Sequence, residues 1–560
     1  MACHPDRREF RARGSLCRPH SRGRVVPRTM PALAGGERGA GRRSGPDVGA
    51  RRAHDLFRPL GQLPGQSRLQ CGNRAARSEA VSGALILALA IPGAGALAIA
   101  LLSRFPNWRE AATLAAAVGL FITVCDLLVG VLNGERPALH LATLAPGLEL
   151  ALHIDPLGML FGIVASTLWV ANSVYSIGYM RGNDEPRQTT FYVCFALAIT
   201  ATMGLAFSGN LLTLFLFYEM LSLTTYPLVT HKRSREAMRA GRIYLLTLIG
   251  ASMILLLPAI VWTYALAGTL DFKAGGILAG KLGPTAMAVL LALFVFGAAK
   301  AAVMPLHRWL PTAMVAPTPV SALLHAVAVV KAGVFTILKV VVSIFGIETL
   351  QQTGASAWLV YVAGFTIVSA SIVALRADDL KRRLAYSTVS QLSYIVMAAA
   401  LASPLAVMGA AIHIAAHAVS KITLFFAAGS VYTAEHVTKV SQMQGIGRRM
   451  PWTMAAFSVG ALSMIGLPPT AGFLGKWFML GAAGTATNWF AVGVILVSTV
   501  LNAAYFLPIL TRAFMKGDDR PVREAPLPMV VALTATAIGT ILLFFLPGVP
   551  LRLASAILGG

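Results

Sequence analysis

Long apolar stretches alternate with short polar segments from Val81 to the C-terminus. Most of these stretches are close to the ~20 residues that a helix needs to cross the hydrocarbon core of a bilayer. They lack the regular alternation of barrel strands, and only helices or closed barrels satisfy every backbone group in lipid. The pattern therefore predicts about fourteen spanning helices, near residues 81–102, 111–132, 156–179, 189–207, 210–230, 243–267, 285–304, 317–344, 356–375, 388–402, 404–432, 452–482, 489–511 and 527–547.

The connections between these stretches alternate in charge. Lys or Arg occurs in every second connection, at 104–109, 181–187, 232–242, 308, 376–383, 439–449 and 512–523. The alternate connections are poor in both residues, and 208–209, 345–355, 400–405 and 483–488 contain neither. By the positive-inside rule the basic connections lie in the cytoplasm. We therefore expect a multi-pass protein of a bacterial inner membrane with both termini on the outer face.

Composition agrees with this class and sets the N-terminal segment apart. The chain is 56% hydrophobic and 12% charged, against about 25% charged in soluble domains. Residues 1–80 hold 17 Arg, no Lys and 6 acidic residues, with many Gly and Pro and no apolar periodicity. This predicts a disordered Arg-rich extension, or a misassigned translation start. We expect neither a secretory signal nor nucleic-acid binding from it.

The five cysteines form no recognisable framework. They are Cys3, Cys17, Cys71, Cys125 and Cys194, without a Cys-x-x-Cys, zinc or iron–sulfur spacing. We therefore expect no metal, no cofactor and no conventional catalytic residue in this chain. Any redox chemistry would belong to a partner.

Ionisable residues inside the apolar helices are the main functional signal. A charge at mid-bilayer costs about 2.5–3.5 kcal/mol on insertion scales, so such residues rarely persist without a role. A series of lysines, histidines and one glutamate across successive helices is what a proton relay requires. The candidates are Glu219, Lys300, His325, Lys331, His417, Lys421 and Lys476, with His413 and Lys339 as weaker ones.

The order of these residues suggests a path. Burial lowers the pKa of a lysine and a neighbouring carboxylate raises it, so a Glu–Lys pair that opens and closes can load and release a proton. We expect Glu219 to modulate Lys300 in this way. Lys331 and a helix face of two histidines and a lysine would carry the proton laterally to Lys476, the second terminal site. Bound water is expected to join these groups, because their spacings exceed direct hydrogen-bond reach. The face comprises His413, His417 and Lys421, spaced by four residues.

Structural interpretations stand beside the functional one. Lys300 and Lys339 lie near span ends, where a lysine can extend to the membrane interface. His413 can be a hydrogen-bonded packing residue.

Two segments are typical of interrupted helices. One contains Pro305, Pro311, Pro317 and Pro319, and the other contains Gly466, Pro468, Pro469, Gly472 and Gly475. Paired interruptions in two halves indicate inverted repeats around a mid-membrane site, although the prolines could instead only bend the helices. We expect N-terminal spans at 81–188, repeat one at 189–344, repeat two at 345–511, and the last span with the C-terminus at 512–560.

Several strings resemble the antiporter-like subunits shared by Mrp-type cation/proton antiporters and respiratory complex I. They are YEMLSLTTYPLV, AAKAAVMPLHRWLPTAMVAPTPVSALLHAVAVVKAGV, DLKRRLAYSTVSQLSYIVM, HIAAHAVSKITLFFAAGSV and LPPTAGFLGKW. The resemblance implies an all-α polytopic fold with two inverted five-helix repeats and broken helices. It also implies key proton-transfer roles for Glu219, Lys300, Lys331 and Lys476, and supporting roles for His325, His417 and Lys421.

The resemblance leaves the type of complex open. The chain ends about 13 residues after its last span, whereas L-type complex I subunits continue into a long lateral helix. Lys476 stands where M-type subunits usually carry Glu, and it looks more like the D-type Mrp subunit. A cation/proton antiporter subunit that exchanges Na⁺ or K⁺ for H⁺ is the favoured interpretation, and a proton-pumping subunit of complex I or a hydrogenase-type complex is the alternative. Both imply partner subunits in the membrane.

Overall fold

The computed structural model describes residues 64–516, 521 and 523–558, with side chains from residue 83 onward. The functional site lies within the compact unit Arg68–Gly560. Residues 1–63 of the predicted N-terminal extension lie outside the described residues, and residues 64–80 form the first part of helix α1.

The described part of the chain is mainly helical. The helices of the first half are α1 (Pro64–Leu101), α2 (Pro106–Leu132), α3 (Pro156–Gly182), α4 (Gln188–Ala206), α5 (Leu211–Val229), α6 (Arg235–Ala251), α7 (Leu257–Ala267), α8 (Pro284–Gly297), α9 (Trp309–Thr312) and α10 (Thr318–Ala322). Those of the second half are α11 (Val329–Val340), α12 (Ile347–Thr353), α13 (Ala357–Arg376), α14 (Leu380–Ala400), α15 (Pro404–Glu435), α16 (Ile446–Arg449), α17 (Pro451–Ile465), α18 (Ala471–Thr485), α19 (Trp489–Phe514), α20 (Leu527–Phe545) and α21 (Gly548–Ala556).

Short irregular helical segments and one hairpin complete the fold. The 3₁₀ turns are Ala299–Ala301, Ala313–Val315 and Val440–Gln442, and the π-helical turns are Ser252–Leu256, Leu323–Val327 and Val341–Phe345. The strands β1 (Ala138–Ala145) and β2 (Leu148–His153) pair antiparallel between α2 and α3. The polytopic all-α fold class is confirmed, with this hairpin as its only sheet among the described residues.

Each of the fourteen predicted spans overlaps at least one helix. Eleven helical stretches are long and apolar enough to cross a membrane, and Pro284–Gly297 and Pro451–Ile465 are shorter apolar helices. The predicted span at 388–402 lies mainly on α14, and the one at 452–482 is divided between α17 and α18.

Two helical stretches form the centre of the molecule. Thr318–Phe345 is fully buried, and 83% of an apolar 18-residue segment of Pro404–Glu435 is buried, whereas only 33% of the corresponding segment of Leu527–Phe545 is buried. Only helices surrounded by other helices can bury their whole circumference in this way. The two central stretches carry most of the candidate relay residues, which places these residues away from lipid.

The predicted interruptions are present in both halves. Helix α8 ends at Gly297, and Lys300 follows in a 3₁₀ turn. The next helix, α9, begins only at Trp309. Helix α17 ends at Ile465, and Gly466 follows with a φ of +92°, the left-handed value that favours glycine just after a helix C-terminus. Pro468 and Pro469 prevent the helix from continuing, and α18 begins at Ala471. Helical carbonyls are therefore left without intrahelical partners beside each interruption.

Candidate functional site

The two central helices bring a lysine and a histidine into direct contact. The Nζ atom of Lys331 on α11 lies 2.6 Å from Nδ1 of His417 on α15. Both side chains are fully buried. The expectation of a water bridge is wrong for this pair, because the two residues face each other from different helices.

Lys300 is buried against helix α5. Its Nζ donates to the carbonyl oxygen of Tyr218 at 2.9 Å and to Oγ of Ser222 at 2.7 Å. The same nitrogen lies 3.1 Å from the centroid of the Tyr218 ring. Lys300 has no exposed surface, so it does not extend to the membrane interface.

Glu219 lies beside this lysine without a direct ion pair. The two groups interact electrostatically, but no salt bridge joins them at 4.0 Å or less in the described part of the chain. Neither carboxylate oxygen of Glu219 has a hydrogen-bond partner among the described residues, although both are buried. The structure thus places Glu219 and Lys300 together but holds the lysine through neutral oxygens of α5.

Lys421 and Lys476 are held in the same manner. Lys421 donates to Oγ of Ser387 at 2.5 Å and to the carbonyl of Leu384 at 3.2 Å. Lys476 donates to the carbonyls of Met464 and Ile465, each at 2.9 Å. These last two carbonyls belong to the final turn of α17, which the interruption at Gly466 leaves without intrahelical donors. The sequence predicted a buried lysine beside a broken helix. Here the free carbonyls at the helix end bind that lysine.

The histidines connect the central contact to Lys476. The rings of His417 and His413 are 6.1 Å apart, and His413 Nε2 lies 3.1 Å from Oε1 of Gln391. The Tyr394 ring lies 6.0 Å from His413 and 5.1 Å from Nζ of Lys476. The structure therefore places Lys331, His417, His413 and Lys476 in this spatial order, on helices α11, α15 and α18.

His325 lies on the π turn that precedes α11. It packs against Phe425 with ring centroids 4.8 Å apart. Neither ring nitrogen has a partner among the described residues, although the side chain is fully buried. π turns inside α-helices are frequent at functional sites.

Lys339 stands apart from this series. It lies two turns beyond Lys331 on α11, is 1% exposed, and forms an ion pair with Asp155. Its ammonium group is bound by a carboxylate of the protein, so this lysine does not face lipid.

The sequence reasoning missed the partners of the lysines. Ser222 and Ser387 supply hydroxyls to Lys300 and Lys421, and Gln391 contacts His413. A signal was present, because α14 contains the run YSTVSQLSY, which is rich in polar residues and lies mostly within the predicted span 388–402. Among the described residues, no group of His, Cys, Asp and Glu is arranged to hold a metal ion.

Comparisons with known proteins agree with the resemblance. The family model described as "NADH:quinone oxidoreductase/Mrp antiporter, TM" matches residues 208–502. NADH-quinone oxidoreductase subunit N of Desulforudis audaxviator is 34% identical over 79% of this chain and 89% of its own length. An Na(+)/H(+) antiporter subunit of Alkalihalophilus pseudofirmus is 30% identical over 69% of this chain, which spans about half (51%) of that relative.

Solved structures show the same fold. A chain of the Mrp complex from Dietzia sp. DQ12-45-1b superposes with a TM-score of 0.77 at 23% identity, covering 85% of this chain and 97% of that one. A chain of the membrane-bound sulfane sulfur reductase, an archaeal respiratory membrane complex, gives 0.76 at 24% identity with the same coverage. The predicted resemblance is confirmed: the chain belongs to the NADH:quinone oxidoreductase/Mrp antiporter transmembrane family.

Proposed function

We propose that this chain is a proton-translocating subunit of a multisubunit antiporter that exchanges Na⁺ or K⁺ for H⁺. The observation that carries the proposal is the series of buried lysines and histidines across the middle of the molecule, with the Lys331–His417 contact at its centre. In this proposal Glu219 and Lys300 form one terminal site and Lys476 the other, with His325, His413 and Lys421 in support.

Unpaired polar atoms support a hydrated path. Buried polar groups are nearly always hydrogen-bonded to protein or to water. Along this series, both oxygens of Glu219, both ring nitrogens of His325, and one nitrogen each of His413 and His417 have no protein partner among the described residues. Water molecules at these atoms would let a proton pass between groups that do not touch.

The proposed repeats place the two terminal sites symmetrically. Repeat one, 189–344, contains Lys300 beside the interruption after α8, and repeat two, 345–511, contains Lys476 beside the interruption after α17. The basic connections would face the cytoplasm of a bacterial cell and both termini the outside.

A second function has its own support. The relative with 34% identity is a subunit of NADH-quinone oxidoreductase. In that role this chain would move protons in response to redox chemistry in partner subunits. Purification from native membranes in mild detergent, followed by mass spectrometry, separates the two. Co-purifying antiporter subunits without redox proteins support the first function, whereas flavin or iron–sulfur subunits would replace it with the second.

The relay itself is tested by Glu219→Ala in the assembled complex. We expect proton translocation in membrane vesicles to be lost while the amount of complex is unchanged, because the carboxylate of the terminal site with Lys300 is removed. Glu348→Ala is the matched control, since Glu348 is exposed on the short helix α12. Wild-type translocation in Glu219→Ala would refute the relay under both functions.

A further inference from the structure

A small cavity adjoins the end of α11 that carries Lys339. Its volume is about 190 Å³, and its polar lining comes from Arg136, His153, Asp155, Lys273, Lys339 and Ser343. The lining comes from residues next to the hairpin, from the start of α3, from the connection after α7 and from the end of α11. Because these connections are the ones poor in Lys and Arg, the cavity lies on the side opposite to the basic connections.

Asp155 and Lys339 differ in how far their side chains are exposed. The Lys339 side chain is 2% exposed, whereas the Asp155 side chain is 20% exposed. Asp155 caps α3, since its Oδ1 accepts a hydrogen bond from the backbone nitrogen of Gly158 at 2.7 Å. Its Oδ2 accepts from Nζ of Lys339. The carboxylate is therefore held by the helix, and it is the more exposed member of an ion pair whose two residues both line the cavity.

The same helix links this pair to the relay. Lys339 follows Lys331 by eight residues, or about 12 Å along the α-helix axis. A proton that passes between these two lysines would require water molecules in the gap. The ion pair and the Lys331–His417 contact are thus carried by the same helix.

We propose that Asp155 and Lys339 form the outward proton port of this subunit. The proposal rests on the proposed proton translocation and adds the residues of the release step. Lys339 transfers a proton from Nζ to Oδ2 of Asp155, which leaves both groups neutral. Asp155 then releases this proton to water in the cavity and regains its negative charge. The neutral amine of Lys339 takes up the next proton from the Lys331 side, which restores the ion pair.

The other charged groups around the cavity favour release. Arg136 and Lys273 line it from separate connections and repel a proton that has reached the water. Burial holds the pKa of His153 below its usual value, and Lys339 and Arg136 lower it further against the opposing effect of Asp155. A neutral ring at this position adds no positive charge to the cavity lining.

Lys339→Arg in the full complex tests the proposal. Arginine retains the ion pair with Asp155 but does not deprotonate. We expect at least a tenfold loss of proton translocation in vesicles with an unchanged amount of complex, whereas a purely structural ion pair would tolerate the change. The control is Arg449→Lys, which alters another buried ion pair, with Glu435, outside the relay. Wild-type translocation in Lys339→Arg overturns the port.

A second variant decides the case if Lys339→Arg does not assemble. Asp155→Asn keeps the shape of the side chain and its cap on α3 but cannot carry the proton, so we again expect at least a tenfold loss. Asp155→Glu should retain measurable translocation because the carboxylate is kept. If Glu219→Ala abolishes translocation and Asp155→Asn does not, only the port is wrong. If Glu219→Ala has no effect, the proposed function fails first.

Discussion

Gly333→Ala should displace Lys300 without changing any ionisable group. Gly333 lies on α11 and faces the 3₁₀ turn Ala299–Ala301. A Cβ atom at this position would overlap the backbone nitrogen of Ala301 and the carbonyl carbon of Lys300. Backbone atoms cannot rotate away as a side chain can, so α11 and the turn must separate by about 1 Å in a closely packed interior.

The size of the effect follows from this displacement. Overpacking of a core costs about 1–3 kcal/mol, and we expect the upper end here because both opposing atoms are backbone. The hydrogen bonds of Lys300, at 2.7 and 2.9 Å, would lengthen beyond the usual limit of about 3.2 Å. A misplacement of about 1 Å at a reacting group can reduce a rate about 10²-fold.

The assay is proton translocation by vesicles that contain the assembled complex, normalised to the amount of this subunit. Gly250→Ala is the matched control, because a Cβ atom there meets no heavy atom within 4 Å. We expect Gly250→Ala to translocate at the wild-type rate and Gly333→Ala to be about 10²-fold slower. Equal rates in the two variants would show that the close packing of α11 against the turn does not position Lys300.

Two further predictions concern packing and acid sensitivity. Gly475→Ala would place a Cβ atom 2.8 Å from Cβ and 2.9 Å from Nδ1 of His413; we expect slower translocation, whereas Gly484→Ala, which meets no heavy atom within 4 Å, should not change it. Burial lowers the pKa of His231, in the loop after α5, to about 4 from 6.5. As the pH falls, His231 binds a proton in the unfolded loop before it does so in the folded loop. The contribution of His231 to the stability of the folded loop is therefore full above about pH 6.5 and falls toward pH 4. Hydrogen exchange of the peptides around His231 should accelerate near pH 5, and His231→Gln should remove most of this acceleration.

Each of these predictions has a clear contrary result. Equal translocation in Gly475→Ala and Gly484→Ala would mean that α15 and α18 can separate without disturbing His413. The same acceleration of exchange in His231→Gln and in the wild type would assign the acid sensitivity to another group. Glu185 is the nearest such group, since its carboxylate lies 4.0 Å from the His231 ring.

Spans and buried ionisable residues could be predicted because both depend on composition within one segment. An apolar run of about 20 residues has few alternatives to a membrane helix. Gly466 and the two following prolines likewise specify a helix end locally. These predictions needed no knowledge of how helices pack.

Partnerships between helices could not be predicted in this way. The contact between Lys331 and His417 joins residues 86 positions apart, and no local pattern fixes which face of α11 meets α15. The same holds for Asp155 and Lys339, which are 184 positions apart. Lys339 at a span end is typical of a lysine that extends to the interface, and only the packing of α3 against α11 shows its carboxylate partner.

The choice of partner separates two kinds of buried lysine in this protein. Lys300, Lys421 and Lys476 are bound by carbonyl and hydroxyl oxygens, which carry no full charge. Loss of a proton from Lys421 or Lys476 leaves no charged partner behind, so the neutral form is tolerated in the membrane interior, whereas Lys300 also has Glu219 nearby. Lys339 is bound by a carboxylate, and loss of its proton would leave a buried negative charge unless that carboxylate accepts the proton. The first arrangement suits groups that pass protons along the membrane interior. The second suits a group at the mouth of a cavity, where the carboxylate can hand the proton to water.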